Sequence, residues 1–280
     1  MMFDLSRPVL MAPAAQRLCA PHLSRYLAAE PPKGPQVAHI GSFGGTDRRP
    51  YAVVNGVAVI GVSGLLVSEW PWIGDPWITG YDALSVQIGT AFEDADVSAV
   101  CLKINSGGGM ADGCFDLCDG IRAAKAAAKK TIAAICASTA YSAAYALAAQ
   151  CDGISVPRTG GVGSIGVWTS HLDVSRSLDE AGITVSVIAS GAHKVDGHPY
   201  APLPDDVRAD MQGLVDDLRR LFADTVAKGR RISVDAVLAT EARCYDGPRG
   251  ADEAVRLGLA DAVASPTDAF AALVQSVTRP

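Results

Sequence analysis

Charge is scarce in this chain and leans acidic: Asp, Glu, Lys and Arg make up 19% of its 280 residues, and 24 basic against 30 acidic side chains leave a formal net charge of -6. There is no basic excess to follow a phosphate backbone or an anionic bilayer, so nucleic acid and membrane surfaces are not expected partners. The seven cysteines, at positions 19, 101, 114, 118, 136, 151 and 244, lack the even, tight spacing of a disulfide framework. Cys101 and Cys136 sit inside apolar runs that read as buried strands, which implies reduced, packed thiols in a cytoplasmic setting. Cys114 and Cys118 are close together, but no His or second Cys pair completes a ligand set, so no metal and no cofactor are expected. The first thirty residues have no continuous apolar core, because Arg7, Arg17 and Arg25 interrupt them, and no secretory leader or membrane anchor is expected.

What is present is a large apolar fraction, 49%, in a chain long enough for one sizeable core. Residues 131–150, TIAAICASTAYSAAYALAAQ, carry no charge over a membrane-spanning length. They are dominated by Ala, Ser and Thr rather than large apolar residues, and read as a buried strand running into a buried helix. From residue 51 onward, strand-like Val/Ile runs alternate with amphipathic stretches. That pattern predicts an α/β protein with right-handed crossovers and mostly parallel pairing. Residues 1–50 read as an N-terminal arm and linker, with a helix over residues 14–28 interrupted by Pro21. Residues 51–265 form the domain and 266–280 a C-terminal tail. Within the domain, TVSVIAS at residues 184–190 is expected as a strand, and the segment with Trp70, Trp72 and Trp77 as a loop whose indoles pack onto the core.

Three small-residue turns follow three predicted strands: Asn105-Ser106-Gly107-Gly108-Gly109, Ser138-Thr139-Ala140-Tyr141-Ser142 and Gly160-Gly161-Val162-Gly163-Ser164. Strand-end turns are where an α/β protein builds its site. The first turn offers backbone donors for an oxyanion or phosphate, but lacks the spacing of a nucleotide-binding loop. Ser142 stands where a strand gives way to the helix AAYALAAQ, and it has two readings. It is an N-cap, or it is a nucleophile whose neighbouring amide and helix dipole hold developing negative charge.

NSGGG after a strand, AYSAAYALAAQCD, GGVGSIGV and SGAHKVDGHPY occur in that order. Together they resemble the signal peptide peptidase A-like family of serine–lysine peptidases, and within it the capsid-assembly (prohead) peptidases of lambda-type phages. The similarity covers roughly residues 50–265. The resemblance implies the Clp peptidase and crotonase-like fold, a spiral of β-β-α units. It implies Ser142 as nucleophile, Lys194 as general base and Ser164 as a helper that bonds the lysine. The backbone N–H groups of Gly108 and Ala143 become the oxyanion hole. The chain departs from the family's N-S-P-G-G with Gly107 in place of proline, and has Ala143-Ala144 after the nucleophile.

Such a dyad works only if the amine is neutral, and burial against apolar neighbours disfavours an ammonium. The amine then takes the serine proton, the alkoxide attacks the scissile carbonyl, and water hydrolyses the acyl-enzyme. The implied partners are phage head proteins (scaffold, portal, capsid) in the host cytoplasm or procapsid, with self-association into a homo-oligomer in which the 204–230 helix can take part. The rival readings are a bacterial signal peptide peptidase, an acyl-CoA enzyme using NSGGG without a nucleophile, and a non-enzymatic shell protein. A rival base is His171, with Asp173 close by.

Overall fold

The computed structural model describes residues 9–11, 22, 24–34, 37–43 and 48–278. In chain order the strands are β1 (Val9–Met11), β2 (Ala38–His39), β3 (Ala52–Val54), β4 (Val57–Val67), β5 (Trp72–Ile73), β6 (Ile78–Gly80), β7 (Ala99–Met110), β8 (Thr131–Tyr141), β9 (Gly153–Val156), β10 (Gly161–Gly163), β11 (Cys244–Asp246) and β12 (Ala262–Val263). The helices are α1 (Tyr81–Glu93), α2 (Cys114–Ala128), α3 (Ala143–Ala148), α4 (Ser175–Glu180), α5 (Asp205–Arg230), α6 (Val234–Leu238), α7 (Gly247–Arg256) and α8 (Pro266–Thr278). The helix expected over residues 14–28 falls largely outside the described residues; residues 24–27 are helical.

Strands β4, β7 and β8 lie side by side and parallel, as the alternating pattern predicted. They are largely apolar, and Val57, Ile60, Val62, Val100, Leu102, Ile104, Ile132 and Ala134 are completely buried, while Lys103 of β7 stays exposed on the face that α8 covers only in part. Each is long enough to change neighbours halfway. On one edge of β4, β3 pairs near the start and β6 near the end. On one edge of β8, β9 pairs at Ala133–Ile135 and β10 at Thr139–Tyr141. The β7–β8 ladder slips between Ile104 and Ser106, so that Ser106 comes to face Ala140. Above that slip β7 exchanges β8 for β1, which pairs antiparallel over Gly108–Met110.

Residues 131–148 form the strand and helix read from sequence, and no helix among the described residues is long and apolar enough to cross a membrane. Every residue of α3 is inaccessible to solvent. The helix is wedged between the sheet and the helices α2 and α5, which explains its run of alanines. Gly229 of α5 shows how close the approach is: a Cβ there would meet the Ala149 carbonyl oxygen at 2.1 Å. The Tyr145 hydroxyl, fully buried, donates to the Leu259 carbonyl at 2.8 Å.

Two segments differ from the sequence-based expectation. Residues 184–190 are not a strand; Val185, Val187 and Ile188 are exposed, Ile188 at 96%. A strand exists only by pairing, and β10, the strand before this segment, already has both edges taken by β8 and β11. Residues 266–278, read as tail, form helix α8, whose N-terminus is capped by Ser265 Oγ accepting from the Asp268 amide at 3.1 Å. Leu273 of α8 is buried with Val57, Ala99, Cys101 and Ile135 beneath it. Leu273→Ala should therefore destabilise the fold by about 2 kcal/mol, the low end for a core leucine because the cluster is small. Chemical denaturation measures this, and a change within error would return the segment to an inert tail.

Candidate active site

The turn at the end of β8 is strained where the chemistry is expected. Ser142 adopts φ 54 and ψ -122, a conformation that costs a non-glycine residue on the order of 1–3 kcal/mol. The turn is held from behind: the Ser142 amide donates to the Gly163 carbonyl at 2.8 Å, and the Ser142 carbonyl accepts from Ala146 at 2.9 Å. Gly163 itself has φ 112, and a Cβ there would lie 2.5 Å from the Arg243 carbonyl oxygen, so only glycine fits. The chain therefore turns sharply and enters α3 with Ala143 at its first position, where helix amides have no acceptor within the helix.

The Ser142 side chain makes no capping hydrogen bond. Its Oγ is fully buried and has no partner among the described residues. A buried hydroxyl without a partner is costly, and a cap would have satisfied it. Of the two readings open from sequence, the geometry disfavours the N-cap.

Ser164 sits beside this turn, one residue beyond the carbonyl that holds Ser142, with φ 56 and 6% exposure. Its amide donates to the Arg243 carbonyl at 2.9 Å, and its hydroxyl lies against the Cys244 thiol. Burial raises the Cys244 pKa, and the Ser164 hydroxyl partly offsets this. Behind it the Tyr141 hydroxyl meets Asp246 Oδ2 at 3.3 Å. Burial pushes the thiols of Cys101 and Cys136 up to about 12, and those of Cys118 and Cys151 upward as well, so these four are protonated and do not compete as nucleophiles.

The NSGGG segment, read from sequence as a turn, is instead the upper end of β7, paired on both edges, and it closes the other side. Ser106 is 2% exposed; its Oγ donates to the Gly64 carbonyl at 2.7 Å and accepts from the Gly108 amide at 3.1 Å. The Gly108 N–H thus points at a neutral oxygen rather than into open space. Gly109 is pressed against β4, where a Cβ would meet the Leu66 carbonyl oxygen at 1.8 Å.

The structure gathers Ser142, Ala143 and Ser164 around one strand–turn–helix corner, with Gly108 on the adjoining strand. It does not bring Lys194 there. Lys194 is exposed in the bend that follows residues 184–190, its amide donating to the Gly191 carbonyl at 3.2 Å, and Ser142 Oγ receives no bond from it. Nor does His171 form a triad. Its Nε2 contacts the His198 carbonyl at 3.1 Å, while Asp173 accepts from the Ser175 amide at the start of α4. That hydrogen bond lowers the Asp173 pKa. His193 pairs with Asp196 on the surface, which raises its pKa. Among the described residues no cluster of three His, Cys, Asp or Glu side chains could hold a metal. Sequence reasoning did not find Ser106 as the brace of its own segment, nor Cys244 behind Ser164, since neither carries a motif.

A strained, unpartnered serine at a helix N-terminus, beside a glycine-rich strand end with backbone donors, has the parts that acyl transfer uses. The chain belongs to peptidase family S49, whose model matches residues 124–278. It is 37% identical over 289 residues to the head-tail preconnector protein GP5 of Enterobacteria phage P21, covering 97% of this chain and 56% of that protein. It is 38% identical over 226 residues to the capsid assembly protease C of Escherichia phage lambda, covering 79% of this chain and 49% of that protein. The chain thus spans about half the length of these relatives. A crystal structure of an enoyl-CoA hydratase/isomerase family member superposes with a TM-score of 0.42 at 17% identity, covering 81% of this chain and 74% of that one.

Removing the Ser142 hydroxyl separates the two readings of this serine by stability alone. Ser142→Ala deletes a buried unpartnered group, so the melting temperature should hold or rise. A loss of about 1 kcal/mol, the usual cost of deleting an N-cap, would show that the side chain caps α3 in solution.

Proposed function

We propose that this chain is a serine endopeptidase of phage head assembly, cutting scaffold, portal or its own chain through Ser142 with Lys194 as base. The observation that carries the reading is the buried, unpartnered Ser142 Oγ on a strained turn, in a chain of a peptidase family. The head-assembly assignment draws on the two phage relatives.

In this reading the neutral Lys194 amine removes the Ser142 proton as Oγ attacks the scissile carbonyl carbon. The oxyanion is held by the Ala143 amide at the N-terminus of α3 and by the Gly108 amide, which exchanges Ser106 Oγ for the stronger charged acceptor. The lysine proton passes to the leaving amine, and water then hydrolyses the ester by the same route. Ser164 orients the lysine and takes no part in bond making.

Lys194 must move in from the surface for this to happen. Its segment carries the exposed Ile183, Val185, Val187 and Ile188, and α5 exposes Leu214 and Leu221. Copies of the chain associating over these surfaces would pack the segment down and strip water from the amine. Light scattering should accordingly give a mass of at least two chains. A monomeric mass with full activity overturns the assembly step.

Incubation with head proteins and mass spectrometry of the products tests the chemistry. Ser142→Ala, Lys194→Ala and Lys194→Arg should each lose about a thousandfold or more in rate, the arginine because guanidinium stays protonated. Ser164→Ala should lose less, and His171→Gln should keep most activity. Rate should continue to climb with pH through the alkaline range, whereas a histidine base would level off just above neutrality. Cleavage that survives Lys194→Ala and is lost in His171→Gln would replace the base.

A further inference from the structure

The upper half of β7 has two edges. β4 holds one, through Leu65 opposite Gly108 and Leu66 opposite Gly109. The other belongs to β8 as far as Ser106 opposite Ala140, and is then given up. β8 ends one residue past Ala140, at Tyr141, and Ser142 follows directly. The relinquished edge therefore begins beside the nucleophile turn. In this structure β1 fills it, with Met11 opposite Gly108, Leu10 opposite Gly109 and Val9 opposite Met110.

The direction of β1 matters. It runs antiparallel to β7, so its N-terminal end is at Met110 and its C-terminal end, Met11, is nearest Ser106 and the Ser142 corner. A polypeptide lying this way delivers the peptide bond after its Met11 position toward the nucleophile. Extended peptides commonly bind by adding a strand to an open sheet edge, with main-chain bonds giving affinity and side-chain seats giving selection. The seat is present: Met11 is 9% exposed in a cluster with Leu65, Val67, Trp70 and Ile78, flanked by Met110 and Trp168. The arm is also tied down farther along the chain. Arg25 pairs with the buried Asp75, which accepts from Trp70 Nε1 at 3.1 Å, and His22 stacks on Trp77 at 4.4 Å. With the arm in place Ser142 has no exposure to solvent.

We propose that residues 9–11 occupy this edge as a self-inhibitory strand, with the Met11 side chain in the apolar seat, and that an extended polypeptide must displace them to reach Ser142. The proposal rests on the reading of Ser142 as nucleophile and goes beyond it, naming what covers the site. The His22 and Arg25 contacts keep the displaced strand near its edge, so it competes as an intramolecular ligand.

Two full-length variants release the strand differently. Met11→Asp puts a charge into the apolar seat, and Leu10→Pro removes a backbone donor that a strand needs. Met11→Asp disturbs only the small cluster around Leu65 and Trp70, Leu10→Pro changes the backbone of β1, and circular dichroism checks the fold of both. A fluorophosphonate probe should label Ser142 at least about tenfold faster in each variant, as when the open fraction rises from a tenth or less toward one. A synthetic peptide with the sequence of residues 5–13 should slow that labelling again. In parallel, the amide within residues 109–110 that faces β1 should exchange slowly in the parent and rapidly in the variants, while the Gly108 amide, bonded to Ser106 Oγ, serves as the internal control. Equal labelling in all three forms, with Ser142 still reactive, overturns the self-inhibitory strand and leaves the peptidase reading standing. Exchange at 109–110 that does not differ between parent and variants overturns the pairing itself. No label on Ser142 in any form overturns the nucleophile and its self-inhibition together, while the exchange comparison still shows whether the arm covers the edge.

Discussion

The slip in the β7–β8 ladder between Ile104 and Ser106 is the constraint on which the rest of the site depends. Below it, the two strands match residue for residue and are largely apolar. Above it, they diverge, and each acquires a new neighbour: β7 takes β1 and β8 takes β10. Above the slip β7 runs on as strand to Met110, with the Gly108 amide bonded to Ser106 Oγ, while β8 ends in a tight corner rather than continuing as sheet. The Gly163 carbonyl can then reach the Ser142 amide at 2.8 Å, which fixes the corner.

The strain at Ser142 is supported by what lies beneath it. Helix α3 is short, and a six-residue helix has little stability of its own. It persists because every side chain is enclosed between sheet and helices. Small side chains allow that enclosure from several directions at once, and Tyr145 supplies the one long reach, to Leu259. The same rigidity keeps the first amides of α3 aimed outward from the corner, where negative charge would develop in acyl transfer.

The alternation of Val/Ile runs with amphipathic stretches made the parallel sheet legible, because strands largely covered on both faces carry few polar residues. The strand and helix over 131–148 were legible for a related reason: only a helix with no exposed face can consist of Ala143 to Ala148. The segments holding Ser142, Gly108 and Ser164 were located from their small residues and from resemblance. Residues 184–190 were misread because β-propensity describes a side chain's fit to a sheet and says nothing about whether an edge is vacant. Helix α8 was missed because its apolar face is narrow, with Leu273 as its one buried anchor. The position of β1 has no signal in its three residues. It is set by a vacancy on β7 that only the folded sheet creates. Lys194 lies at the surface, so its motif marks a residue whose place in any dyad depends on a change the single chain has not made.

The contacts around α3 also govern when this corner can exist. The Ser142 turn is braced by Gly163, whose neighbours are Arg243 and Tyr245, and α3 is tied through Tyr145 to Leu259. All of these come more than eighty residues after Ser142 in the order of synthesis, apart from Gly163 itself. A ribosome that has just finished residues 131–148 has made the serine and its helix but none of the last pieces that hold them. Until residues 243–259 have been added, a nascent chain lacks the contacts that hold the corner in place.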